Sequence, residues 1–130
     1  PSDHYRLEAS YSLDNGNEAE GYGHVGFAFS AEAISYLNAA YFRGHSDQFV
    51  AWSVSGSFPG ETNVSWPFET HTWYTMELEV DLVTRSTTAW LDGTEVMTYT
   101  DPYMERNDGR LGPLSWEPIY ADYFVYENLE

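Results

Sequence analysis

The chain has 130 residues and no lysine: five arginines and four histidines stand against 21 aspartates and glutamates, for a formal charge of −16. That length suits one domain, residues 1–130, able to bury roughly two-thirds of its unfolded surface, and 42% hydrophobic with 18% aromatic residues excludes a disordered acidic tail. The absence of cysteine excludes disulfides, thiolate catalysis and Cys-ligated zinc, the scattered arginines argue against nucleic acid or an anionic membrane surface as partner, and no apolar run approaches the ~20 residues that span a bilayer.

The dominant period along the chain is two. Pro1-Ser2-Asp3 leads at once into strand-like sequence with no signal peptide, as expected of a mature product or a piece of something longer. His4 to Leu13, Gly23 to Phe29, Tyr36 to Phe42, Gln48 to Ser55, Trp73 to Leu82, Ser86 to Leu91, Glu95 to Tyr99 and Ile119 to Tyr126 are short runs rich in Tyr, Phe, Trp, Val and Thr, bounded by turn residues. Ala31 to Leu37 has room for one helical turn at most. Short strands at regular intervals predict an all-β, antiparallel sandwich of the jelly-roll kind.

Asp14 to Gly21 and Ser55 to His71 read as the two long irregular stretches, the second an ordered loop because it carries Phe58, Trp66 and Phe68. Asp92-Gly93 supplies two residues that tolerate positive φ and marks a hairpin tip, and Val83 to Arg85 makes the turn before it. Trp73 to Tyr99 is therefore a three-stranded meander. Within it Tyr74, Met76, Leu78, Val80 and Leu82 fall on a core face, and Thr75, Glu77, Glu79 and Asp81 on a wet one.

Several segments resemble concanavalin A-like jelly-roll domains of the laminin-G and carbohydrate-binding-module type. They are Tyr5-Arg6-Leu7-Glu8-Ala9, Gly23-His24-Val25-Gly26-Phe27-Ala28-Phe29, Ser35 to Arg43, Trp73 to Val80, Ala89-Trp90-Leu91-Asp92-Gly93, Gly109-Arg110-Leu111-Gly112 and Ala121-Asp122-Tyr123-Phe124-Val125. The resemblance covers nearly the whole chain at the level of fold and includes no catalytic signature. It implies glycan binding before catalysis, a structural calcium near a late Asp (here Asp122), and a further N-terminal strand ahead of the first one seen. That strand is expected to belong to a longer precursor or to be supplied by a partner chain or by self-assembly.

Candidate site residues follow. Trp90 is expected to point outward between inward Ala89 and Leu91, beside Glu77 and Glu79, where an indole face stacks on sugar C–H groups while carboxylates take hydroxyls; packing under the N-terminal segment or a partner chain is the alternative. Tyr41 and Arg43 share a face with Asn38 nearby, in the region where the resemblance implies binding residues, and an ion pair to Asp47 or a neighbouring Glu is the alternative for Arg43. Trp66 lines a pocket or caps an end of the sandwich, as does Trp116, while Trp52 between Val50 and Val54 is expected in the core. Glu77, Glu79 and Asp81 resemble the carboxylate series of laminarinase-like hydrolases with the acidic middle and end exchanged, and are read as a solvated acidic face. Asp14 and Glu18 sit in a loop of hard oxygen ligands suited to calcium but lacking the EF-hand pattern.

Carboxylates in excess with no lysine are expected of a protein adapted to high salt, where charge repulsion is screened; a calcium-rich extracellular setting at ordinary salinity is the alternative. The sequence thus predicts a secreted or surface-displayed domain that binds polysaccharide without cleaving it. A structural or adhesive subunit completed by strand exchange, and a glycoside hydrolase or lyase, are the competing classes.

Overall fold

The computed structural model describes residues 2–12, 24–33, 36–43, 47–55, 58–69, 72–100, 110–115 and 120–130, with side chains throughout except at 30–33, 36–37, 52–55 and 58–61. The strands are β1 (His4–Ser12), β2 (His24–Ala33), β3 (Tyr36–Arg43), β4 (Gln48–Ser55), β5 (Phe58–Ser65), β6 (Trp73–Asp81), β7 (Ser86–Leu91), β8 (Thr94–Thr100), β9 (Arg110–Ser115) and β10 (Tyr120–Asn128). They form two five-stranded antiparallel sheets: sheet A in the order β10-β1-β6-β7-β8, and sheet B in the order β5-β4-β3-β2-β9. No helix occurs among the described residues, and Ala31 to Ala33 belong to β2, not to a helical turn.

The core lies between the sheets, and strict alternation builds it. On β6 Tyr74, Met76, Leu78 and Val80 are buried while the intervening positions are not, and β1 repeats the pattern with Tyr5, Leu7, Ala9 and Tyr11. Sheet B contributes Val25, Phe27, Phe29, Ala40, Phe42, Phe49 and Ala51. Phe42 meets Phe49 with ring centroids 5.3 Å apart and Phe68 at 4.5 Å. Each fully buried Leu or Phe is stabilising by about 1.5–3 kcal/mol relative to exposure, which is what holds two otherwise separate sheets together.

Two strands escaped the periodicity. β5 contains Pro59-Gly60 and β9 contains Gly112-Pro113, residues that weaken a strand signal, and both strands lie at the edges of sheet B, where a missing amide donor leaves no ladder partner unsatisfied. Part of the stretch expected as a loop from Ser55 to His71 is therefore β5. The turn residues behave as the sequence predicts: Asp92 and Gly93 have φ of 49° and 79°, and Arg85 closes the preceding turn at 58°.

Candidate functional site

The two outer faces of the sandwich differ. On sheet B, Ala39, Tyr41 and Val50 have the opposite parity to the core residues of β3 and β4 and form a second, smaller buried cluster with Leu114 beside it. Val50 therefore faces away from the main core; the expectation that Trp52 sits in the core between Val50 and Val54 falls on a side chain outside the described ones. By register Trp52 stands between Ala39 and Glu61.

At one end of this cluster the outer face carries polar groups in a row. His24, Arg43, Gln48 and Ser65 lie opposite one another across β2, β3, β4 and β5, and Gly26, Tyr41, Val50 and Asn63 form the next row. Arg43 donates from Nη2 to the Tyr41 hydroxyl at 3.1 Å and from Nη1 to Gln48 Oε1 at 3.2 Å. Gln48 Nε2 in turn donates to Asn63 Oδ1 at 3.3 Å, and the His24 ring lies 5.8 Å from that of Tyr41. The guanidinium also sits 5.8 Å from the Tyr41 ring centroid. Its planar fork is thus held on two sides. Tyr41 is only 4% exposed, so it positions Arg43 and offers no open ring face.

On sheet A the outer face is acidic. Glu8 lies directly opposite Glu77, and Glu77 opposite Trp90. Arg6 donates to Glu79 at 3.3 Å and places its guanidinium 5.8 Å from the Trp90 ring centroid, while His4 Nε2 lies 2.8 Å from the other Glu79 oxygen. The His4 hydrogen bond first, and Arg6 with it, holds the Glu79 carboxyl below its ordinary value, so Glu79 is ionised at neutral pH and has no proton to donate to a leaving group. Trp90 is outward, as expected, and packs with Arg6 of the N-terminal strand.

The expected ligand residues therefore fall in four places. Tyr41 and Arg43 stand together on the outer face of sheet B, Trp90, Glu77 and Glu79 stand together on that of sheet A, and neither group can reach the ligand of the other. Asn38 has the parity of Phe42 and is 5% exposed, facing the interior and not the Arg43 row. Trp66 packs partly buried against the main core, its backbone N–H bonded to Asp47 O at 2.8 Å, and so caps the sandwich end. Asp122 is exposed on the edge strand β10, and among the described residues no three His, Asp or Glu side chains converge on a metal position. Asp14, Glu18 and Trp116 lie outside the described residues. Sequence reasoning missed Gln48, Asn63 and His24, which only register brings beside Arg43.

No protein-family model matches the sequence, and a comparison with curated proteins finds no match. Solved structures do match. The carbohydrate-binding module CBM66 from Bacillus subtilis has a TM-score of 0.74 at 14% identity, over 98% of this chain and 76% of that one. Sheep galectin-11, solved with glycerol, has a TM-score of 0.76 at 8% identity, over 97% of this chain and 91% of that one. A human galectin-16 variant has a TM-score of 0.72 at 16% identity, over 98% and 90%. The chain shares the concanavalin A-like jelly roll of these proteins.

Proposed function

We propose that the domain binds carbohydrate, without cleaving it, on the outer face of sheet B around Arg43. The observation that carries this reading is the hydrogen-bonded row Tyr41–Arg43–Gln48–Asn63, which crosses three strands on one face. Sugars present hydroxyl oxygens, and a guanidinium already held by its neighbours meets them without losing rotamer freedom at the moment of binding. The likeness to a carbohydrate-binding module and to galectins supports the same reading.

The finer proposals are that the ligand is a polysaccharide, that the domain is secreted or surface-displayed, and that it works at high salt. Its charge of −16 supports the last. The lowered carboxyl of Glu79 argues against that residue as the general acid of a hydrolase. Contacts on one row give modest affinity, so tethering to an enzyme or a wall would act through local concentration. The experiment is a polysaccharide and glycan-array screen in molar NaCl with wild type and Arg43→Ala. Specific binding that the variant loses supports the reading; silence across the array in wild type defeats it.

A second reading, an assembly subunit completed by a donated strand, is favoured by one observation. Phe124 and Tyr126 of β10 pair with the core-facing Ala9 and Leu7, yet each remains 37% exposed. Size-exclusion chromatography at working salt separates the two: a polymer supports assembly and a clean monomer weakens it.

A further inference from the structure

Three of the large exposed aromatic side chains gather on the outer face of sheet A, away from the Arg43 row. Trp73 is 51% exposed and Tyr120 58%, and the two flank Ser12 in register, one on β6 and one on β10. Two interstrand steps put them about 10 Å apart. Tyr123, 38% exposed, joins them on the same face, its hydroxyl donating to Glu8 Oε1 at 2.6 Å. That bond fixes the ring and raises the phenol's pKa, with Glu8 the first cause.

We propose that Trp73, Tyr120 and Tyr123 form a second carbohydrate-binding surface, an aromatic shelf that takes an uncharged glycan chain and makes the domain bivalent through its thickness. The inference rests on the reading that the domain binds glycans and extends it to the opposite face. A pyranose is apolar on its ring faces and polar at its rim. The shelf has the complementary arrangement, with rings separated by the small polar residues Ser10 and Thr75 of the same face and Ser12 buried beneath them. A protein partner or lipid would call for continuous apolar area; Val125, 48% exposed, extends the apolar strip along β10, but Glu8 and Ser10 on β1 and Thr75 and Glu77 on β6 break it across the sheet.

Charge selects the class of glycan. Among the described residues the shelf's charged neighbours include Glu8 and Glu77, opposite one another in register, and Asp122 beside Tyr123, while Arg6 of this face is engaged with Glu79 and Trp90. A uronate or sulfate laid on the shelf would meet carboxylates, and a neutral chain would not. A polymer long enough to reach two domains would be cross-linked.

The test is calorimetric titration with neutral hexasaccharides of β-glucan, xylan, mannan and galactan type, and with oligogalacturonate as the anionic comparison. Tryptophan emission is followed in parallel, and melting curves confirm that each variant is folded. Wild type is expected to bind two neutral hexasaccharides per domain, and Trp73→Ala or Tyr120→Ala one, with at least a tenfold loss at the shelf. Trp73→Phe keeps the second site, because the ring is retained. Turbidity with the parent polymer disappears in Trp73→Ala and in Arg43→Ala alike. A wild-type stoichiometry of one that Arg43→Ala abolishes and Trp73→Ala does not would overturn the shelf and leave the first reading standing. The reverse pattern supports the shelf and removes the first reading. No binding to any of the hexasaccharides overturns both.

Discussion

Gly26 and Tyr41 face each other across the β2–β3 pair at a separation that admits no side chain on β2: a Cβ at Gly26 would overlap the Ala40 carbonyl oxygen and lie 2.5 Å from Tyr41 Cα. The Tyr11 hydroxyl, whose pKa burial pushes up, donates to the Gly26 carbonyl at 2.7 Å from within the core. Gly26 thus ties the interior to the residue that positions Arg43. Because the overlapping atoms are backbone, Gly26→Ala cannot be relieved by a rotamer change. It should cost at least about 2 kcal/mol in urea denaturation, and an unchanged midpoint would contradict this account of the pair.

Asp81 provides the pH-dependent element of the turn before β7. Its Oδ1 accepts from the backbone N–H groups of Val83 at 2.9 Å and Thr84 at 3.1 Å. These bonds, the Thr84 one foremost, hold the carboxyl below its ordinary 3.8. The folded state then binds fewer protons than the unfolded one in the acid range. The contribution is fully present above about pH 5 and is lost as the pH falls through the depressed folded-state value. Asp81→Asn keeps an acceptor oxygen but not the charge. Wild type should therefore melt higher than the variant at neutral pH, and the gap should close towards pH 2.5–3. A gap constant down to that range would show that charge has no part in the turn.

Most of the fold is legible in the residues because burial enforces alternation. The runs from Gln48 to Ser55 and Ser86 to Leu91 coincide with strands, and the core face read for Tyr74 to Leu82 is the buried one. The two edge strands with proline and glycine are not legible, since edges tolerate residues that break the pattern. The parity of β4 is not legible either. Its outward Val50 is as apolar as its inward Phe49, because the outer face of sheet B carries its own buried cluster. The candidate site suffers most from this: Arg43 and Trp90 look like members of one set in sequence, whereas strand order puts them on opposite faces. Gln48 and Asn63 carry no signal of their own, being ordinary polar residues until pairing places them beside Arg43.

The β7–β8 hairpin should respond to its tip. Gly93 has φ of +79° with open space around its Cβ position, so Gly93→Ala tests conformation alone. It should destabilise by about 1 kcal/mol, seen as a lower melting temperature with unchanged binding. A neutral result would mean that the turn relaxes to another geometry.

Salt should stabilise the domain. A charge of −16 and carboxylates placed face to face, as at Glu8 and Glu77, store repulsion that ions screen. The melting temperature should climb with NaCl into the molar range, and Glu77→Gln should flatten part of that rise. A flat wild-type curve would remove the proposed salt adaptation while leaving the sugar reading untouched.

The central claim is that sugar is held at Arg43 on the outer face of sheet B, and the most direct measurement compares Arg43→Ala with Trp90→Ala by titration calorimetry. The ligand is the oligosaccharide returned by the glycan screen, used in molar NaCl. The account predicts at least a tenfold loss of affinity at that site for Arg43→Ala, whose charge-assisted bonds to hydroxyls disappear, and little change for Trp90→Ala, whose indole is engaged with Arg6. Full affinity in Arg43→Ala with loss in Trp90→Ala would contradict it and move the site to sheet A.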